Sequence, residues 1–332
     1  MSDVIYIVTG AAGHLGSHVV QGLLSRGSRV RALLLPNETC PEFIDHNRHL
    51  LEEYNGNVCD PDSLTGIFET GAPEEFIIVH CAGIISITKK EDRRVYDVNV
   101  GGTVNILEMC RRYPVKRLVY VSSVHAIPPL PRGQVMREVK TFDPDSVPGY
   151  YDKTKAIATQ LVLDAVKDGL DAVVVHPAGI IGPHGLPTGN MARLITMYVK
   201  GKLPAAIHGG FDFVDVRDVS DGIIAAALKG ERGECYILSN RFVGIKEMLD
   251  VLSQAVPLKK LKVYLPVWVA KAITPFTELY YKLAGKTPLF TMYSLNTISE
   301  NGMYSHDKAS RKLNYRTRPL LTTLTDTAQC IK

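Results

Sequence analysis

Tyr151 and Lys155 stand four residues apart in Tyr151-Asp152-Lys153-Thr154-Lys155. On a helix that spacing puts a phenol and an ammonium on one face. A phenol near pKa 10 is a poor proton donor or acceptor at neutral pH, and a nearby cation favours its ionised form. The pair alone could equally be a chance surface contact. Tyr150 offers less, because the residue at the same spacing is Thr154, which carries no charge. A second candidate is Val119-Tyr120-Val121-Ser122-Ser123, an apolar run closing on two hydroxyls. Ser123 could donate a hydrogen bond to a substrate carbonyl, although both serines could simply cap a strand end. The third is Thr9-Gly10-Ala11-Ala12-Gly13-His14-Leu15-Gly16, between an apolar run and an amphipathic segment. Glycines there allow a tight turn and close approach to a pyrophosphate, whose oxygens rest on the N–H groups opening the next helix. That setting reads as a dinucleotide-binding turn.

The elements that must position these groups follow from the pattern of the first half. Short apolar runs at Val4–Val8, Val30–Leu35, Phe76–His80, Leu118–Val121 and Ala172–His176 alternate with helical stretches at His18–Arg26, Pro61–Thr70, Arg94–Arg112 and Tyr151–Lys167. Such alternation predicts parallel strands buried on both faces with right-handed crossovers, a doubly wound α/β sheet of Rossmann type. The dinucleotide-binding domain is expected over residues 1–176. A smaller substrate-binding lobe is expected over 177–332, with a return to the main sheet between 210 and 240, near Gly233–Ser239. Residues 125–150, with five prolines and two glycines, read as a long irregular loop of the kind that is functional or mobile.

Composition narrows the class. The 332 residues are 45% hydrophobic and 22% charged, with a net charge of +4. That is ordinary for a soluble globular protein of about two domains. The charge forms no run, and the clusters Lys89-Lys90 and Lys259-Lys260-Leu261-Lys262 read as solvated faces, so nucleic acid is not an expected partner. The six cysteines form no CxxC pair and read as free, mostly buried thiols of a reducing compartment. Met1-Ser2-Asp3 leads directly into the first strand with no secretory signal, so a cytoplasmic location is expected. Tyr264 to Gly285 is the most apolar stretch, but Lys271, Glu278, Lys282, Pro266 and Pro275 interrupt it, and no transmembrane helix is expected.

With the three motifs in this order, the sequence resembles the extended branch of the short-chain dehydrogenase/reductase superfamily. Further matches are Asn55-Gly56-Asn57-Val58-Cys59-Asp60, Val79-His80-Cys81-Ala82-Gly83, Asp97-Val98-Asn99-Val100-Gly101-Gly102-Thr103, His176-Pro177-Ala178-Gly179-Ile180-Ile181-Gly182-Pro183 and Phe213-Val214-Asp215-Val216-Arg217-Asp218-Val219. The resemblance implies cofactor contacts from Thr9, Gly10, Gly13, His14, Leu15, Gly16 and Asp60, the last against the adenine. It implies Tyr151 as acid–base residue, Lys155 lowering the phenol's pKa and holding the nicotinamide ribose, Ser123 polarising the carbonyl, and Asn99 supporting the site. It also implies a homodimer through Arg94–Arg112 and Tyr151–Lys167.

Within that branch, the C-terminal lobe resembles the dihydroflavonol reductase and 3β-hydroxysteroid dehydrogenase-like group. The segments concerned are Leu265-Pro266-Val267-Trp268, Tyr304-Ser305-His306-Asp307-Lys308-Ala309 and Leu313-Asn314-Tyr315-Arg316. A hydrophobic ketone or secondary alcohol is therefore the expected substrate, unless those apolar residues only pack the lobe. The runner-up is a sugar-nucleotide epimerase or dehydratase, against which stand His176 and Gly179 where such relatives commonly carry Arg and Asn. A non-catalytic dinucleotide sensor would have no use for Tyr151, Lys155 and Ser123 together. At the end of the second strand Leu34 and Leu35 replace both the acid that selects NAD and the arginine that selects NADP, and the missing carboxylate tilts the expectation toward NADP. His14 reads as a solvent-facing spacer, His80 as a supporting or packing residue, and His125 as a possible substrate contact.

Overall fold

A strand covered on both faces has no side that needs polar residues, which is why the continuous apolar runs end up in the middle of a sheet. A computed structural model describes residues 4–70, 74–86, 90–185, 190–256, 260–283 and 291–331. Lys89, Lys259 and the end of the stretch at Gly285 lie outside the described residues. The strands are β1 (Val4–Thr9), β2 (Arg29–Leu34), β3 (Leu51–Asn55), β4 (Glu75–His80), β5 (Val115–Val121), β6 (Ala172–Pro177), β7 (Gly179–Ile181), β8 (Ala206–Ile207), β9 (Gly210–Asp215), β10 (Cys235–Leu238), β11 (Arg241–Gly244) and β12 (Tyr264–Leu265). The helices are α1 (His14–Leu24), α2 (Arg93–Tyr96), α3 (Gly102–Arg112), α4 (Tyr150–Lys167), α5 (Asn190–Val199), α6 (Val216–Lys229), α7 (Ile245–Ala255), α8 (Val267–Leu283), α9 (Met292–Thr297), α10 (Asp307–Leu313) and α11 (Leu320–Ile331).

Seven strands form one parallel sheet in the order β10-β6-β5-β4-β1-β2-β3. The fold is thus the Rossmann-like α/β architecture expected. Chain order runs one way from β1 to β3 and the other way from β4 to β6, so the strand order reverses between β1 and β4. Ligands of such sheets bind outside the carboxyl ends of the strands at that reversal. The residues that end those two strands, Thr9 and His80, are register partners there.

The chain returns to the large sheet as β10, beside β6, while β11, β9 and β7 make a separate three-stranded sheet. Helix α6 packs beside α1 and against the large sheet. The edge strand β3 was not anticipated. Its Leu-Glu-Glu-Tyr-Asn sequence exposes Glu52 and Glu53, as an edge with one neighbour allows. The stretch at Pro61–Thr70 forms 3₁₀ turns over Asp62–Phe68 rather than an α-helix. The single helix expected at Arg94–Arg112 is divided by a π-turn, Asp97–Gly101.

The Pro-rich loop is strapped down. Met136 bridges to Tyr304, and its N–H donates to the Met303 carbonyl at 2.9 Å. The Asn301 amide donates to the Pro131 carbonyl at 3.1 Å and to that of Gln134. All six cysteines are free, with Cys40, Cys110 and Cys235 buried but Cys59 and Cys330 exposed. Among the described residues no helix is long and apolar enough to cross a membrane.

Candidate active site

The glycine turn joins β1 to α1 without room for side chains. Gly10 has φ +65°, and a Cβ there would stand 2.9 Å from the Ala82 backbone. A Cβ on Gly16 would fall on the Gly10 carbonyl oxygen. Gly13 caps α1 with no side-chain hydrogen bond, and the first turn carries no acid. The opening N–H groups therefore keep both their donors and the positive end of the helix for an anion, which suits a dinucleotide pyrophosphate. Leu15 is half-buried on the core side of α1. His14 departs from the spacer expected. Its ring Nε2 lies 2.9 Å from the Pro183 carbonyl, and burial lowers its pKa.

A polar chain locks this turn to the neighbouring strand. Thr103 Oγ1 donates to the Asn99 carbonyl at 2.7 Å and lies 3.3 Å from His80 Nε2. With its only proton so placed, Thr103 can only accept from His80, which puts the ring proton on Nε2. His80 Nδ1 then accepts from Thr9 Oγ1 at 2.7 Å, and Thr9 in turn accepts the Ala82 N–H at 3.1 Å. Burial pushes the His80 pKa down to about 3, so the ring stays neutral. This supporting role is the one anticipated for His80.

Ser122 and Ser123, which follow β5, meet different parts of α4. Ser122 Oγ is bound to Thr159 Oγ1 of α4 at 2.6 Å and belongs to the packing. Ser123 Oγ accepts the His125 N–H at 3.2 Å, and the Ser123 hydroxyl acts on the Tyr151 phenol to lower its pKa. Behind it, His176 Nδ1 lies 2.9 Å from the Ser123 carbonyl and its ring stacks on Phe142. His176 is fully buried, with its pKa pushed down to about 4 by burial.

Tyr151 and Lys155 share the inner face of α4, and both are buried. The Lys155 ammonium donates to the Val121 carbonyl at 2.9 Å and lies 5.2 Å from the centre of the Tyr120 ring. Burial lowers its pKa to about 8. The Tyr151 phenol is raised above its ordinary value by burial, and the Ser123 hydroxyl works against that rise. The lowering expected from Lys155 is not among the causes acting on it, which are burial, Ser123 and Asp152.

Asn99 sits in the π-turn, a feature that often marks functional positions. Its side chain accepts the Ile84 N–H at 2.8 Å and donates to the Ile84 carbonyl and to Thr154 Oγ1, both at 3.0 Å. One amide thereby fastens the segment after β4 to α4. Asp60 is exposed, and its carboxylate accepts the Asp62 N–H at 3.2 Å. A Cβ on the nearby Gly102 would strike Val58.

At the end of β2, Leu34 is buried and Leu35 exposed. The rim is not free of acid, however, because Glu38 Oε2 turns back to accept the Leu35 N–H at 3.1 Å. Asn37, at φ +70°, makes that reversal. The premise for favouring NADP does not hold.

Beside Tyr151 a cavity is lined by His125, Ile127, Asp152, Phe211, Tyr293 and Tyr304. Trp268, in the segment that suggested a hydrophobic substrate, is 73% exposed and lines no part of it. Asp152 and Tyr293 were missed by the sequence reading. A signal for Asp152 existed in its place as the third residue of α4, where an acid can accept the N-cap N–H, here that of Gly149 at 2.9 Å.

Over residues 6–239 the sequence matches the NAD dependent epimerase/dehydratase family. It is 30% identical over 312 residues to sterol demethylase protein B of Methylococcus capsulatus, covering 92% of each chain. It is 27% identical over 350 residues to 3 beta-hydroxysteroid dehydrogenase/Delta 5-->4-isomerase of Mycobacterium tuberculosis, covering 98% of this chain and 89% of that one. Among solved structures, gox2253 superposes with a TM-score of 0.81 at 28% identity, over 98% of this chain and 97% of that one.

Proposed function

The chain belongs to the NAD dependent epimerase/dehydratase family, and on that premise we propose that it interconverts a hydrophobic ketone and the corresponding secondary alcohol. The observation that carries the reading is the gathering of Tyr151, Ser123 and Lys155 at the carboxyl end of β5, beside a cavity whose wall mixes Ile127, Phe211 and Tyr304 with polar side chains. The cofactor, when bound, supplies or accepts the hydride. Ser123 donates to the substrate oxygen and so polarises the carbonyl. Tyr151 gives its proton to that oxygen in reduction and takes it back in oxidation. Lys155 holds a positive charge one helical turn behind the phenol, and Asn99 keeps the intervening loop and α4 in register.

For the cofactor, Thr9, Gly10, Gly13, His14, Leu15 and Gly16 form the pyrophosphate cradle, with Asp60 toward the adenine. The Glu38 carboxylate at the ribose rim supports NAD over NADP, because a 2′-phosphate would meet a like charge there. The names of the two relatives, a sterol demethylase and a hydroxysteroid dehydrogenase, support a steroid-like or similarly apolar substrate. Pairing of two copies through α3 and α4 is part of the same reading, and light scattering tests it.

The direct test follows absorbance at 340 nm with NADH and NADPH separately, against steroid, flavonoid and aromatic ketones and UDP- and dTDP-sugars. Ketone-dependent consumption that falls about 10²–10⁴-fold in Tyr151→Phe, with cofactor affinity retained, supports the reading. Conversion of a sugar nucleotide with no net absorbance change would move the assignment to an epimerase or dehydratase.

A further inference from the structure

Asp152 follows Tyr151 in sequence and gathers a second polar cluster beside it. Its side chain is 2% exposed. The carboxylate accepts the Gly149 N–H at 2.9 Å and the Tyr293 hydroxyl at 2.8 and 2.9 Å from its two oxygens. His125 Nδ1 stands 3.3 Å from the same group. The imidazole lies against Phe211 with 5.6 Å between ring centres and 12° between planes, and edge-on to Tyr151 at 6.0 Å.

A ring stacked on Phe211, with Nδ1 turned toward a carboxylate 3.3 Å away, has a set orientation. An ionised carboxylate only accepts, so the Nδ1 facing it carries a proton. Nε2, on the opposite edge of the ring, is then an acceptor in the neutral imidazole and a donor in the imidazolium. A side chain that only filled the cavity wall would need no buried carboxylate behind it, since burying one is costly unless several donors compensate. Phenylalanine would fill the same space.

We infer that His125 is a second substrate-recognition residue, whose Nε2 hydrogen-bonds an oxygen one or two carbons from the carbon that exchanges hydride. Asp152 and Tyr293 act through it as positioning residues. The imidazole and the Tyr151 ring have their centres 6.0 Å apart, so an oxygen held by His125 is a near neighbour of the oxygen held by the phenol. The substrate class is then a hydrophobic ketone or alcohol with a neighbouring hydroxyl or carbonyl, not a lone carbonyl. This rests on Tyr151 marking the reacting carbon, as proposed above.

The test compares binding of 1-phenylpropane-1,2-diol and 1-phenylpropan-1-ol to the protein with NADH, a pairing that cannot turn over, by calorimetry. The diol is expected to bind about ten-fold tighter. That ratio should fall to about one in His125→Phe and recover in part in His125→Gln. Tyr293→Phe, which loosens Asp152 without altering the imidazole, should lower the ratio in the same direction and serves if His125→Phe does not fold. A wild-type ratio near one, or one that His125 substitutions leave unchanged, overturns the inference. The two readings fail separately, because Tyr151→Phe with undiminished turnover sinks the assignment of Tyr151 while the diol ratio is read without turnover.

Discussion

The Lys155 ammonium donates its 2.9 Å hydrogen bond to the carbonyl of Val121, the last residue of β5, two residues before Ser123. The charge that α4 brings to the site is thereby tied to the end of β5. It is also buried, which lowers the pKa from 10.5 to about 8.

Stability should follow from that displacement. Below about 8 both folded and unfolded chains hold the proton, and the folded chain carries the cost of a buried charge. Between about 8 and 10.5 the unfolded chain still holds a proton the folded chain has released, so wild-type stability gains with pH across that window. Lys155→Met removes the charge in both states. Thermal melts of the cofactor-free protein should show the variant a few degrees more stable at pH 7, with the difference shrinking as pH rises past 8. A constant difference from pH 7 to 10 would contradict the burial of this charge.

The glycine turn predicts a graded series. Alanine at 16 meets backbone that cannot yield, alanine at 10 meets backbone and a positive φ, and alanine at 13 approaches the Gly10 oxygen at 3.1 Å. Cofactor affinity, measured by calorimetry, should be lost in Gly16→Ala, strongly reduced in Gly10→Ala and least changed in Gly13→Ala. Equal effects at all three would mean that packing around the turn does not set its shape.

Much of this was legible in the sequence, and the exceptions share a cause. Runs such as Phe76–His80 announce themselves because burial on both faces demands unbroken apolar sequence. Strand β3 hid because an edge position tolerates Glu52 and Glu53. The π-turn hid because one extra residue in a helix leaves the apolar spacing of Arg94–Arg112 nearly unchanged. In the site, Tyr151, Lys155 and Ser123 could be picked out by type and spacing. Asp152 and Tyr293 are 141 residues apart, and no local pattern could pair them. Glu38 was passed over because its carboxylate comes back to the Leu35 N–H only through the reversal at Asn37.

Asn99 offers a test of the π-turn. Asn99→Ala leaves the Ile84 N–H and carbonyl without their side-chain partner, a loss of about 1–3 kcal/mol, which should lower Tm by several degrees. Asn99→Asp should be no better near pH 7. It keeps the acceptor for the Ile84 N–H but turns an anionic oxygen toward the Ile84 carbonyl, and toward a Thr154 hydroxyl whose proton is given to the Tyr151 carbonyl at 2.7 Å. An aspartate variant with wild-type Tm would show that the amide is not the fastening described.

The ribose rim gives the last prediction. Leu35 occupies the position where an arginine would receive a 2′-phosphate, and Glu38 folds back onto its N–H. Removing the negative charge in Glu38→Gln should shift the ratio of kcat/KM for NADPH over NADH upward several-fold, since one exposed charge interaction is worth about 1 kcal/mol or less. Leu35→Arg should shift it further, because a guanidinium adds a bidentate donor for phosphate rather than only deleting a repulsion. The double variant tests whether the two act on the same atom. Additive shifts would mean independent contacts, whereas a double variant no better than Leu35→Arg alone would mean that the arginine already neutralises Glu38.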